Sequence, residues 1–168
     1  HHIPGDLTDN YNPREHTLNL SDKVYGSRSI AAIGVAAHEC GHAIQHARHY
    51  VPLTVRSAII PAANIGSSFA WPLVLIGLII PRLNFCMTIG ILLFSLVVIL
   101  QLVTLPVEFN ASRRAIQIIR DSGYLAPDEL KGAKSVLKAA AMTYVAAMVS
   151  VSLQLLRLVI LRNSRDDN

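Results

Sequence analysis

His38-Glu39-Cys40-Gly41-His42 is the stretch whose residue types and spacing can do chemistry: two histidines four apart, a glutamate directly after the first, all inside the apolar, helix-compatible run from Ile30 to Ala47. In an α-helix, residues four apart are offset by only about 40° around the axis and stand about one turn apart along it. His38 and His42 therefore project from one face, where two imidazoles can hold one zinc ion. A hydrolytic zinc takes three protein ligands and leaves the fourth position to water, lowering the pKa of that water to about 7. Glu39 then stands where its carboxylate can lie beside the water as general base rather than ligate the metal. The competing reading is an ordinary helix with a solvated Glu39, and the helical context that such a motif needs counts against it. Gly41 costs about 1 kcal/mol against alanine in a helix interior. It implies close approach of another segment, plausibly the one bearing the remaining ligand.

The elements around this helix must position it, and composition says where they lie. The 168 residues are 52% hydrophobic and 15% charged with mean hydropathy +0.41, which is not the balance of a soluble domain. No charged residue occurs from Ala58 to Pro81 or from Leu83 to Val107, and each block exceeds the roughly 20 apolar residues that cross a bilayer. A third block from Ala139 to Leu156 continues through Arg157 to Leu161, and Arg157 there must snorkel. A chain this short cannot enclose three such helices in a soluble shell. Three membrane spans are expected, at residues 58–81, 83–107 and 139–161, with Pro61 and Pro72 kinking or delimiting the first. The expected fold is mainly α and integral to the membrane: one domain over residues 1–168, a zincin-like helical catalytic part and a short β element.

The net charge of +4 does not indicate nucleic acid, since no basic stripe is interleaved with aromatics. The positive-inside rule accounts for it. With three crossings, one side carries Arg14, Lys23, Arg28, Arg48, Arg56, Arg113, Arg114, Arg120, Lys131, Lys134 and Lys138, which is 11 of the 15 basic residues. The motif is expected on the cytoplasmic face of the cell membrane. Cys40 and Cys86 form no disulfide framework, and Cys40 lies about 200° round the helix from His38. The chain opens on His1-His2 without a methionine, which reads as part of a longer product and leaves open whether a span or propeptide precedes it.

In chain order, residues 3–13 read as irregular chain. His16 to Ser21 alternates as a short strand, expected to pair with the Leu7 region and either purely structural or an edge for an extended peptide. Gly26-Ser27-Arg28-Ser29 supplies N-cap candidates for the motif helix of residues 29–49. His46, one turn beyond His42, is a conceivable ligand but more often such a group is peripheral. After the second span come Glu108 and the helical residues 108–122, with Gly123 suited to a C-terminal cap. Glu108 is the only acid between Glu39 and Asp121, which makes it a candidate third ligand. A carboxylate favoured by a helix dipole is the alternative. Pro127, Asp128 and Glu129 open a further helix, and the tail from Arg162 to Asn168 is expected to be disordered.

With both motifs in view, the chain resembles the neutral zinc metallopeptidases of bacterial membranes, the YugP-like family. The resemblance rests on Ser29 to His42 and on Leu105-Pro106-Val107-Glu108-Phe109-Asn110-Ala111-Ser112. More distantly it is similar to HtpX-type and CAAX-type membrane peptidases. The resemblance implies His38, His42 and Glu108 as ligands of one Zn2+ per chain, with Glu39 catalytic. The distant relatives carry an aspartate that orients a ligand histidine where Ser112 stands here. The closer family reads Asp-His-Tyr-Asp-Pro where this chain has Asp9-Asn10-Tyr11-Asn12-Pro13.

The implied function is a membrane-bound zinc metalloendopeptidase hydrolysing peptide bonds with a zinc-activated water. Its partners would be a peptide or membrane-protein substrate and the lipid bilayer. Arg113, Asn110, Ser112 and Tyr11 are the candidates for oxyanion or supporting roles, chosen for their place beside a ligand or in the upstream loop. The alternative is a non-hydrolytic membrane protein with a structural or sensory zinc site, or a silent scaffold. A carrier is disfavoured, because the first two spans lack the ionisable groups an ion pathway needs.

Overall fold

The computed structural model describes residues 1–166. Its elements are two three-residue strands, β1 (Asn10–Asn12) and β2 (Thr17–Asn19), and four helices. The helices are α1 (Ile30–Ala47), α2 (Val51–Ile79), α3 (Asn84–Ser122) and α4 (Pro127–Asp166), with one 3₁₀ turn at Pro81–Leu83. The protein is mostly helical, and α2, the 81–122 segment and α4 are each long and apolar enough to cross a membrane. The expected span 139–161 lies inside the longer α4, whereas 58–81 runs two residues past the end of α2 and 83–107 starts one residue before α3. Residues 84–107 and 108–122 belong to one uninterrupted helix, which carries Pro106 in its interior.

The chain forms two compact units, His1–Leu53 with Pro106–Thr143, and Thr54–Leu105 with Tyr144–Asn168. In the second, Ala70, Val74, Met87, Ile91, Phe94, Val98 and Leu158 form the core. Large apolar side chains such as Phe69, Leu75, Leu92, Ile99, Leu153 and Ile160 stay exposed. An apolar surface of that extent suits a hydrocarbon solvent, where packing rather than water exclusion holds helices together. The tail expected to be disordered is helical through Asp166, and the rest of it lies outside the described residues. Arg165 explains the order: its guanidinium donates to the carbonyls of Gly77 (2.9 Å) and Leu78 (2.8 Å), two of the groups that the end of α2 leaves unpaired.

The first unit carries the motif. Ser29 starts α1 as expected, in extended backbone, its hydroxyl accepting from the Ala32 N–H at 3.2 Å. At the other end His49 adopts φ +50°. The N–H of His49 reaches His46 O and that of Tyr50 reaches Gln45 O, the two bonds of a Schellman ending built on a non-glycine residue. Ala37, Ala115, Ile119, Ala133 and Leu137 pack α1 against the later part of α3 and the start of α4. Gly123, at φ +66°, closes α3 as expected. Glu129 accepts from the Ala126 N–H at 2.8 Å, fixing the start of α4.

β2 pairs antiparallel with β1, Tyr11 opposite Leu18, and not with the Leu7 region. The amides explain the register. Asn12 Oδ1 accepts from the Arg14 N–H (2.9 Å), closing an Asx turn, and Asn19 Nδ2 donates across the strands to Asn10 Oδ1 (3.0 Å). Leu7 has φ +57° and is exposed, outside any ladder. Asp9 completes the anchor by accepting from the N–H and hydroxyl of the fully buried Ser21.

Ser29→Ala removes the N-cap of α1 and is expected to cost about 1 kcal/mol without touching the motif. Thermal unfolding in detergent should show the loss while metal content stays at the parent level.

Candidate metal centre

Helix α1 presents His38 and His42 one turn apart, their rings edge-to-face with centroids 4.7 Å apart. The third member of the cluster comes from 66 residues further on. Glu108 on α3 places Oε2 3.1 Å from His38 Nε2 and 3.6 Å from His42 Nε2. Among the described residues these three form the group able to hold a metal ion, their ligand atoms lying within 4.8 Å of one another. Ligand atoms about 2.0–2.2 Å from a tetrahedral zinc stand roughly 3.3–3.6 Å apart. The observed separations bracket that range, and two imidazoles with one carboxylate suit zinc chemically.

Gly41 is what allows α3 this close. A Cβ on it would stand 2.5 Å from the Ala111 carbonyl oxygen and 3.0 Å from the carbonyl carbon, both rigid backbone. The close approach inferred from the glycine is therefore the approach of the segment bearing Glu108. Ala111 and Ala115 are fully buried, and Ala115 packs with Ala37 of α1 in the core beside this contact.

Both carboxylates are withdrawn from water, Glu108 being 2% exposed and Glu39 8%. Burial pushes the Glu39 carboxyl up, and the nearby His42 and His38 offset only part of this. For His42, burial acts downward, but hydrogen bonding to Glu108 and its charge outweigh it, so the imidazole is held above its ordinary value. The main chain of Tyr11 in β1 acts on Glu39 in the opposite direction to burial, and both strands pack against α1.

The other ring nitrogen of each histidine also has a partner. Ser112 Oγ lies 3.2 Å from His38 Nδ1. Gln45 Oε1 lies 3.0 Å from His42 Nδ1. Gln45 was not singled out by the motif pattern. Its one sequence signal is a polar residue three positions after a histidine on a largely apolar helix.

Of the remaining candidates, Asn110 uses Oδ1 to accept from Gln45 Nε2 (3.1 Å) and Arg114 Nε (2.8 Å). The Tyr11 hydroxyl bonds His46 Nδ1 at 3.0 Å, which places His46 outside the cluster. Arg113 is exposed on α3, and Cys40 is a half-buried free thiol apart from the ligand group.

Residues 1–163 match the model of a family described as "Putative neutral zinc metallopeptidase". The chain belongs to this family. It is 48% identical over 167 residues to the "Putative membrane protease YugP" of Bacillus subtilis (strain 168), covering 99% of this chain and 74% of that protein. No solved structure matches it. The relationship and the three apolar helices together support localisation to a membrane.

Two substitutions test the geometry. Glu108→Ala should lower the zinc content of detergent-purified protein from about one ion per chain to near zero, read by elemental analysis against the parent. Gly41→Ala, which drives a methyl into the Ala111 carbonyl, should cost about 1–3 kcal/mol or more and reduce bound zinc with every ligand still present.

Proposed function

We propose that this protein is a membrane-bound zinc endopeptidase in which His38, His42 and Glu108 hold one ion and Glu39 is the general base. The observation that carries this reading is the meeting of three ligand atoms from two distant segments beside a fourth, non-ligating carboxylate that is buried. A purely structural site has no use for Glu39 there, since burying a carboxylate without a task is costly. Zinc bound at these residues would supply Lewis acidity toward a peptide carbonyl and make water acidic enough to be deprotonated near neutral pH.

The chain's own groups do the rest. Glu39 takes a proton from the attacking water as the new C–O bond forms. It returns that proton to the departing amine as the C–N bond breaks, so it ends as it began. Its upward shift from burial brings its basicity closer to the range in which both transfers are efficient. Ser112 and Gln45 hold the ligand rings. Tyr11, Asn110 and Arg113 are the candidates for stabilising the oxyanion, and Tyr11 is favoured by the reach of its backbone to Glu39. The small sheet packed against α1 also offers an edge along which an extended peptide can pair. The three apolar helices support a multi-pass arrangement, and the concentration of basic residues in the segments flanking the first two spans supports a cytoplasmic site.

Glu39→Gln separates hydrolysis from metal binding. The variant should retain the parent's zinc content while its cleavage of fluorescein-labelled casein in detergent falls by at least about 10²-fold. Parent-level turnover would remove Glu39 from the chemistry. Zinc retained with no turnover in either protein across a panel of peptides would favour a structural or sensory site.

A further inference from the structure

We propose that Gln45 is a positioning residue that holds His42 in the Nδ1–H tautomer and so keeps the Nε2 lone pair free for the ion. This rests on the zinc reading given above. Gln45 is fully buried, and its amide is held in one orientation by two separate groups. Its Nε2 lies 2.8 Å from the Val107 carbonyl oxygen and 3.1 Å from Asn110 Oδ1. A main-chain carbonyl can only accept, so the group facing Val107 must be the NH2. The Asn110 contact fixes the same answer independently. Arg114 Nε, 2.8 Å from Asn110 Oδ1, can only donate, so the atom it meets is the asparagine oxygen, and that oxygen again requires the NH2 of Gln45.

With the NH2 committed twice, the amide oxygen is what remains for His42, 3.0 Å from Nδ1. An amide oxygen has no proton to give, so Nδ1 must carry one. The neutral ring then has its lone pair on Nε2, the nitrogen that faces Glu108. Turning the amide over would set its oxygen against two acceptors in a fully buried place and forfeit both bonds.

His38 is held differently. Ser112 offers a hydroxyl at 3.2 Å, which can accept or donate, so it orients that ring without dictating its tautomer. The direction imposed on the site comes through Gln45, and through Asn110 and Arg114 behind it. An outer hydrogen bond of this kind fixes tautomer and ring orientation at metal-bound histidines generally, and its loss lowers metal affinity about 10–100-fold.

The test reads the tautomer directly, by long-range proton–nitrogen correlation on the full chain labelled with 15N-histidine, metal-free, in detergent, at a pH above the histidine range. The parent should show His42 as Nδ1–H. Gln45→Met, close in volume but without an acceptor for the ring, should shift His42 toward the Nε2–H form and weaken zinc binding about 10–100-fold. Gln45→Glu keeps an acceptor oxygen while losing both donors, and should retain the Nδ1–H form. A role confined to tying α1 to α3 would be lost equally in the two variants. Nε2–H in the parent overturns the proposal whatever the variants do, as does an unchanged Nδ1–H form in Gln45→Met. A parent that shows Nδ1–H but binds no zinc would instead leave the tautomer assignment standing and remove the zinc reading.

Discussion

Everything at the metal centre depends on one backbone contact, the approach of α1 to α3 at Gly41 and Ala111. The distance from a would-be Cβ to the Ala111 carbonyl oxygen, 2.5 Å, leaves no room for a side chain. Metal ligation tolerates errors of a few tenths of an ångström, whereas an added methyl displaces a helix by more. The same contact sets several distances at once, because α3 contributes residues at helical spacing. Glu108 reaches both imidazoles, Ser112 one turn on reaches His38, and Val107 offers its carbonyl to Gln45. The helix-interior cost of glycine is a local loss of about 1 kcal/mol. It is offset by a site that no other residue at that position permits.

Charge explains why the contact is worth that cost. Two carboxylates, Glu39 and Glu108, are almost wholly removed from water, an arrangement that is unfavourable unless opposite charge comes with them. Neutral imidazoles orient and ligate but do not balance a formal charge of minus two. One dication does. Without it, the same field is what draws a proton to His42, whose upward shift has Glu108 as its main favourable cause against the opposing effect of burial. On the zinc reading proposed above, proton and metal would compete for one nitrogen, and the two buried carboxylates would favour a doubly charged guest.

What could be read in the sequence follows from the range of each interaction. Helical spacing is local, so His38, Glu39 and His42 were legible, as were the Ser29 cap, the Gly123 stop and the apolar blocks. Glu108 was legible from the scarcity of acids between Glu39 and Asp121 and from the resemblance of the residues around it, and Gly41 because a glycine in mid-helix needs a reason. Gln45 escaped because its partners are Val107 and Asn110, 62 and 65 positions away, and a lone glutamine on a helix carries no pattern. The strand pairing was misjudged for a related reason. Its register is set by the side-chain amides of Asn10, Asn12 and Asn19, which composition counts as ordinary loop residues. The helical tail depends on Arg165 meeting carbonyls 87 and 88 residues back, beyond any local signal.

The division of labour between the two helices also makes the site conditional. Helix α1 alone carries His38, Glu39, His42 and Gln45, but not Glu108, the Ser112 that meets His38, or the groups that hold the Gln45 amide. Those all reside on α3 or are anchored by it: Glu108 as ligand, Ser112 for His38, Val107 and Asn110 behind Gln45. An ion that binds only the docked pair adds its binding free energy to docking, by RT ln(1 + [L]/Kd) for free metal L. That linkage runs both ways. Docking of α3 completes the ligand set, and the metal in turn favours the docked helices. On the proposed reading, docking would bring the base, the ligands and their orientation together in one step, so the histidines of an undocked α1 would hold metal weakly.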